Sequence, residues 1–116
     1  MTVAVFASDI HFPDEDPASW RLTLRLWKIM NPTLFFWGGD IYDFTSPSSY
    51  LKNPNQLLTL QEDLDHGFEK MMEVRRMFPN SRWYMKEGNH EQRLKKFLFS
   101  RAAELSPLRC LKLENL

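Results

Sequence analysis

Apolar positions along this chain come as short continuous runs that alternate with stripes at helical spacing. Thr2 to Ala7 is a β-branched and apolar run of the kind expected of a strand buried on both faces. Asp14-Glu15-Asp16-Pro17 then opens a helix, with Asp16 as its cap and Pro17 in the first turn. Trp20, Leu24 and Trp27 form the apolar stripe of that helix, Leu22, Leu26 and Ile29 broaden it, and Asn31-Pro32 stops it. Thr33 to Trp37 reads as a second strand, closed by Gly38-Gly39. The polar stretch from Thr45 to Asn55, with Pro47 and Pro54, reads as a loop.

From Gln56 to Phe78 the spacing predicts a long helix with Leu57, Leu60, Leu64, Phe68 and Met71 on one side, ended by Pro79-Asn80. Ser81 to Lys86 is a third strand. A third helix is expected from His90 or Glu91 to Ser106, with Leu94, Phe97, Leu98 and Leu105 inward. Pro107 breaks it, and Leu108 to Leu113 forms a fourth strand. The pattern is α/β: a mostly parallel βαβαβαβ sheet with right-handed crossovers, in a single domain over residues 1–116 with no repeat or linker.

Composition narrows the partners. Fifteen basic residues balance fifteen acidic ones, so no global field argues for nucleic acid or membrane. A single cysteine, Cys110, excludes an internal disulfide and suits a reducing compartment. No apolar run reaches the roughly 18 residues of a membrane span, and the start lacks a basic leader, so a cytoplasmic location is expected.

Three fragments carry candidate chemistry: Ser8-Asp9-Ile10-His11, Gly39-Asp40-Ile41-Tyr42-Asp43 and Gly88-Asn89-His90-Glu91. Each follows an expected strand, and open parallel sheets bind ligands at the carboxyl ends of their strands. Asp9 and His11, two apart at a strand end, can reach one cation. Their mixed carboxylate and imidazole donors suit manganese, iron, zinc or nickel better than calcium. Asp40 follows two glycines that let the backbone pass close to a metal and leave its carboxylate free to bridge two ions. Asn89 offers a neutral amide oxygen to a second ion. His90 is placed to protonate a leaving oxygen, with Glu91 as its orienting partner.

Singly these fragments are common; as an ordered set they are specific. The set resembles the calcineurin-like metallophosphoesterase superfamily, and Ser8 to Pro13 and Gly88 to Leu94 look especially like its phage-type members. The resemblance implies that Asp9, His11 and Asp40 ligate one metal, that Asp40 and Asn89 ligate a second, and that His90 is the catalytic histidine. It implies hydrolysis of phosphomonoesters or phosphodiesters, with nucleotides or nucleic acid among the substrates, by a hydroxide held on two divalent transition-metal ions, manganese among them.

The family pattern continues with a lone His and a Gly-His-x-His, and no histidine follows His90 here. The chain therefore reads as the amino-terminal half of a four-layer αββα sandwich, truncated or split. Its uncovered sheet face would be met by a second chain or by self-association. A non-catalytic, metal-binding remnant or assembly module is the alternative reading, and a nucleic-acid-binding module a third.

Other residues have plainer readings. Asp43 is expected to hold its loop, and Asp14, Glu15 and Asp16 to be charges at a helix start. His66 with Glu62 and Asp63 reads as a solvated helix face. Arg93 is either surface or a phosphate contact one turn beyond His90. The tryptophans and phenylalanines are expected in the core, with Trp20, Trp27 and Phe12 partly exposed if a second half is missing.

Overall fold

The computed structural model describes residues 1–44, 60–101, 103–105 and 107–109. Three short strands, β1 (Ala4–Ala7), β2 (Leu34–Trp37) and β3 (Arg82–Met85), alternate with α1 (Pro17–Met30), α2 (Leu60–Met77) and α3 (Gln92–Arg101). A 3-10 turn at Ala103–Leu105 follows α3. The strands pair in parallel in the order β1-β2-β3, with Val5 opposite Phe35 and Phe35 opposite Trp83. The α/β class and its parallel sheet are as expected. The expected loop from Thr45 to Asn55, the start of the long helix, and residues 110–113 of the expected fourth strand lie outside the described residues.

Local chemistry sets the helix ends. Asp16 caps α1 by accepting the Ser19 amide at 3.0 Å, which satisfies one of the free donors of the first turn. At the other end Asn31 takes the left-handed conformation, with φ of 48°, and donates to the Trp27 carbonyl.

One face of the sheet is packed and the other is open. Trp20, Leu24 and Trp27 of α1, with Met71, Val74 and the following Phe78 of α2, bury Val5, Phe35 and Trp37 in a single cluster. Trp37 stacks on Phe35 with ring centres 5.6 Å apart, and Trp27 meets Phe35 edge-on at 5.4 Å. The expectation of strands buried on both faces fails, because burial alternates along β1 and β2. Phe6, Phe36 and Tyr84 lie side by side in register on the open face, and Phe6 is 73% exposed.

Several other expectations are corrected. Leu22, Leu26, Ile29, Phe68, Phe97 and Leu105 are exposed rather than inward. Phe12, Trp20 and Trp27 are fully in the core. Phe12 lies past the sheet, where its bridge to Tyr42 extends the β1–β2 pairing and buries its ring against Trp20.

Candidate metal centre

The segments leaving β1 and β2 run on as a hydrogen-bonded pair. The Asp9 amide donates to the Gly39 carbonyl at 3.1 Å, the His11 amide to Asp40 at 3.1 Å, and the Phe12 amide to Ile41 at 2.7 Å. The Asp43 amide returns a bond to Phe12 at 2.8 Å. Asp9, His11 and Asp40 all adopt left-handed backbone, with φ of 55°, 58° and 51°. Side chains other than glycine and asparagine adopt that region at a cost and concentrate there at functional sites.

The end of β3 is joined to this pair by Glu91, which is 3% exposed. Its Oε2 accepts the amides of Asp40 at 2.8 Å and Gly88 at 2.9 Å; its Oε1 accepts those of Ile41 at 2.5 Å and Tyr42 at 2.9 Å. Asp40 answers by accepting the His90 amide on Oδ1 at 2.8 Å. Glu91 thus shapes the turn that carries Asp40, in place of the expected role of orienting His90. The approach is close enough to require glycine. A β-carbon on Gly88 would sit on the amide and carboxylate of Asp40, and Gly39, with φ of 100°, would place one 2.8 Å from the Gly88 α-carbon.

Two imidazoles share one carboxylate. Asp43 Oδ1 lies 3.3 Å from His11 Nδ1 and 3.1 Å from His90 Nδ1, and the Asp43 carbonyl is 3.0 Å from His90 Nδ1. The rings meet edge to face at 4.3 Å. Arg93 donates to the Asp43 carbonyl at 2.9 Å and places Nη2 3.3 Å from His90 Nε2. A guanidinium can only donate, so His90 accepts on Nε2 and carries its proton on Nδ1, facing Asp43. Asp43, expected to hold its own loop, grips both rings. Arg93 meets the site rather than lying as plain surface.

Among the described residues, two groups place their donor atoms within 4.8 Å of one another: Asp9 with His11 and Asp40, and His11 with Asp43 and His90. In the second, a cation on His90 Nδ1 would force a proton onto Nε2, against the Arg93 guanidinium. The first group carries no such conflict. Its two carboxylates and one imidazole fit a divalent transition metal. His11 turns Nε2 toward Asp9 Oδ1, at 3.9 Å, and Nδ1 toward Asp43, the arrangement in which an outer carboxylate fixes a ligating imidazole. Asn89 is exposed in the turn between Gly88 and His90, both of which are tied to the Asp40 turn.

The family model for calcineurin-like phosphoesterases matches residues 2–114. The chain belongs to the calcineurin-like phosphoesterase family. Membership carries metal-dependent hydrolysis of phosphoesters as its general chemistry, with divalent ions as the usual cofactors. The comparisons with curated proteins and with solved structures gave no match. No helix among the described residues is long and apolar enough to cross a membrane.

Behind the site lies a buried acidic group that sequence reading placed in solvent. Asp63 is 2% exposed, and burial first, then Asp43 and Asp14, push its carboxyl up to about 6. Burial also raises Asp14, with Asp43 and Glu15 adding to the effect. Glu15 meets His66 Nε2 at 2.6 Å and Lys70 at 3.8 Å, so it docks the segment after β1 onto α2 and is no simple helix-start charge. The tyrosine beside Asp43 is half-buried against Gly67 of α2, and that burial, with Glu91 adding, pushes the Tyr42 hydroxyl up to about 12.

Proposed function

We propose that this chain hydrolyses phosphomonoesters or phosphodiesters at a dinuclear metal centre at the strand ends. Asp9, His11 and Asp40 would hold one divalent ion, and Asp40 with Asn89 a second; manganese, iron, zinc and nickel suit these donors. Bound there, such ions supply Lewis acidity to phosphoryl oxygens and acidify the attacking water. The observation that carries the reading is the convergence of Asp9, His11 and Asp40 from two strand ends, with His90 brought alongside from a third.

The protein's own residues then divide the remaining work. Asp43 commits His90 Nδ1, so once an incoming phosphoryl group draws the Arg93 guanidinium away, Nε2 is the ring atom that takes up a proton and hands it to the departing ester oxygen as the phosphorus–oxygen bond breaks. The Asp43 carboxylate steadies the ring while it is charged. Arg93, whose Nη2 lies 3.3 Å from His90 Nε2, would supply a cation to an incoming phosphoryl group. Nucleotide and nucleic-acid esters fall within the substrate class.

The open row of Phe6, Phe36 and Tyr84 supports a further layer on that face, from a second chain or another copy. The lone cysteine supports a cytoplasmic setting. Hydrolysis of a chromogenic phosphodiester with added manganese tests the reading. Turnover should fall by at least about 100-fold in Asp40→Asn and in His90→Ala. Turnover that survives Asp40→Asn contradicts it, and stoichiometric metal uptake without turnover favours a non-catalytic metal-binding module.

A further inference from the structure

We infer that α3 is a docking rail for a single-stranded nucleic acid whose phosphate is delivered to the strand-end site. The inference rests on the phosphoesterase reading and adds the substrate class and the surface that holds it. The chain as a whole is electrically balanced, yet α3 is not: Arg93, Lys95, Lys96 and Arg101 lie in its ten residues, and no acidic residue does. Lys95, Lys96 and Arg101 are exposed, and none forms an ion pair among the described residues. Leu94 and Leu98 bury one side of the helix, and Lys95, Lys96 and Phe99 lie on the side turned away from them.

Two aromatic rings stand among these charges. Phe97 is 42% exposed and Phe99 60% exposed, and Lys95 lies over the Phe99 ring at 5.7 Å. Exposed phenylalanine is costly on a helix that need only be soluble. Alternating cations and aromatic faces are what a single strand requires, with phosphates met by lysine and unstacked bases by rings. A duplex offers its bases no such access, and an anionic bilayer needs a continuous apolar stripe that this face lacks.

Position joins the rail to the chemistry. α3 begins at Gln92, directly after His90 and Glu91, and its first arginine already touches Asp43 and His90. Its positive amino-terminal end therefore points at the place where the phosphoryl group is held. A strand leaving that point has about 15 Å of basic helix to follow.

The test is the binding of a fluorescein-labelled twelve-nucleotide oligothymidylate in the presence of chelator, read by anisotropy across a salt series. Hydrolysis of a small chromogenic phosphodiester with manganese is measured in parallel. Changing both Lys95→Glu and Lys96→Glu should weaken oligonucleotide binding at least tenfold and flatten the salt slope by roughly 1.4. Small-substrate turnover should be unchanged. The same charge reversal on α1, Arg21→Glu with Arg25→Glu, should leave binding within about twofold of the parent.

Equal losses in the two double variants would overturn the proposal, as would an absence of oligonucleotide binding. Capture of phosphatidylserine vesicles in place of the oligonucleotide overturns it too. A chain that binds the strand through Lys95 and Lys96 but hydrolyses nothing keeps the rail and removes the phosphoesterase reading instead.

Discussion

Asp40 and Glu91 hold each other's turns. The Glu91 carboxylate receives the Asp40 amide at 2.8 Å, and the Asp40 carboxylate receives the amide of His90, the residue before Glu91, at 2.8 Å. The loop after β2 and the loop after β3 are thereby fixed to each other by protein groups alone, an arrangement that lowers the ordering cost of binding a ligand there.

Glu91→Gln tests that clasp. The amide keeps the size but turns an NH2 group toward backbone donors, leaving at least one buried amide unpaired. Unfolding by denaturant should show a loss of about 2–4 kcal/mol. A loss below about 0.5 kcal/mol would mean that these bonds do not organise the loops.

Gly88→Ala acts on the same contact from the other side. The added methyl falls on the Asp40 amide and carboxylate, so the Asp40 side chain must turn. Manganese affinity, measured calorimetrically, should drop about 10- to 100-fold. The change should be far smaller for Gly67→Ala, where the added methyl meets the Tyr42 ring and not a ligand.

Two neighbouring phenylalanines separate the two faces of the sheet. Phe35 is buried among Trp27, Trp37 and Phe78, whereas Phe36 is exposed. Phe35→Ala should cost about 3–5 kcal/mol, and Phe36→Ala less than about 1 kcal/mol, by chemical denaturation. Similar costs for both would show that the second face is covered in solution.

Asp63 gives a pH signature. Its carboxyl is raised from 3.8 to about 6, so the folded chain binds the proton more tightly than the unfolded one. Through this group stability falls as pH rises from about 4 to about 6 and is flat above. Asp63→Asn removes that slope and should raise stability at pH 8 by on the order of 1 kcal/mol. The comparison is thermal unfolding of the two proteins at pH 4 and pH 8.

Much of the fold was legible because short apolar runs and helical stripes are local signals. The cap at Asp16 and the stop at Asn31 could be read from a few residues. Which sheet face is covered could not. In β2, Leu34 to Trp37 is apolar throughout, and a continuous run does not show that Phe35 and Trp37 are packed while Phe36 is open.

The set of Asp9, His11, Asp40 and His90 was readable as an ordered pattern, and the structure brings these residues together. The carboxylates that organise them were not readable. Glu91 binds backbone amides, which leave no mark in side-chain identity. Asp63 and His66 look like an ordinary polar helix face until Glu15, far away in sequence, packs against His66.

Whether Asp9, His11 and Asp40 hold a divalent ion is decided by titrating manganese into the protein and following the loss of the free-ion paramagnetic resonance signal. The parent chain should take up manganese stoichiometrically, with affinity weakened at least about tenfold in Asp40→Asn and in His11→Ala and little changed in Asp65→Asn on the exposed side of α2. Uptake that is unaltered in Asp40→Asn, or absent from the parent chain, would contradict it.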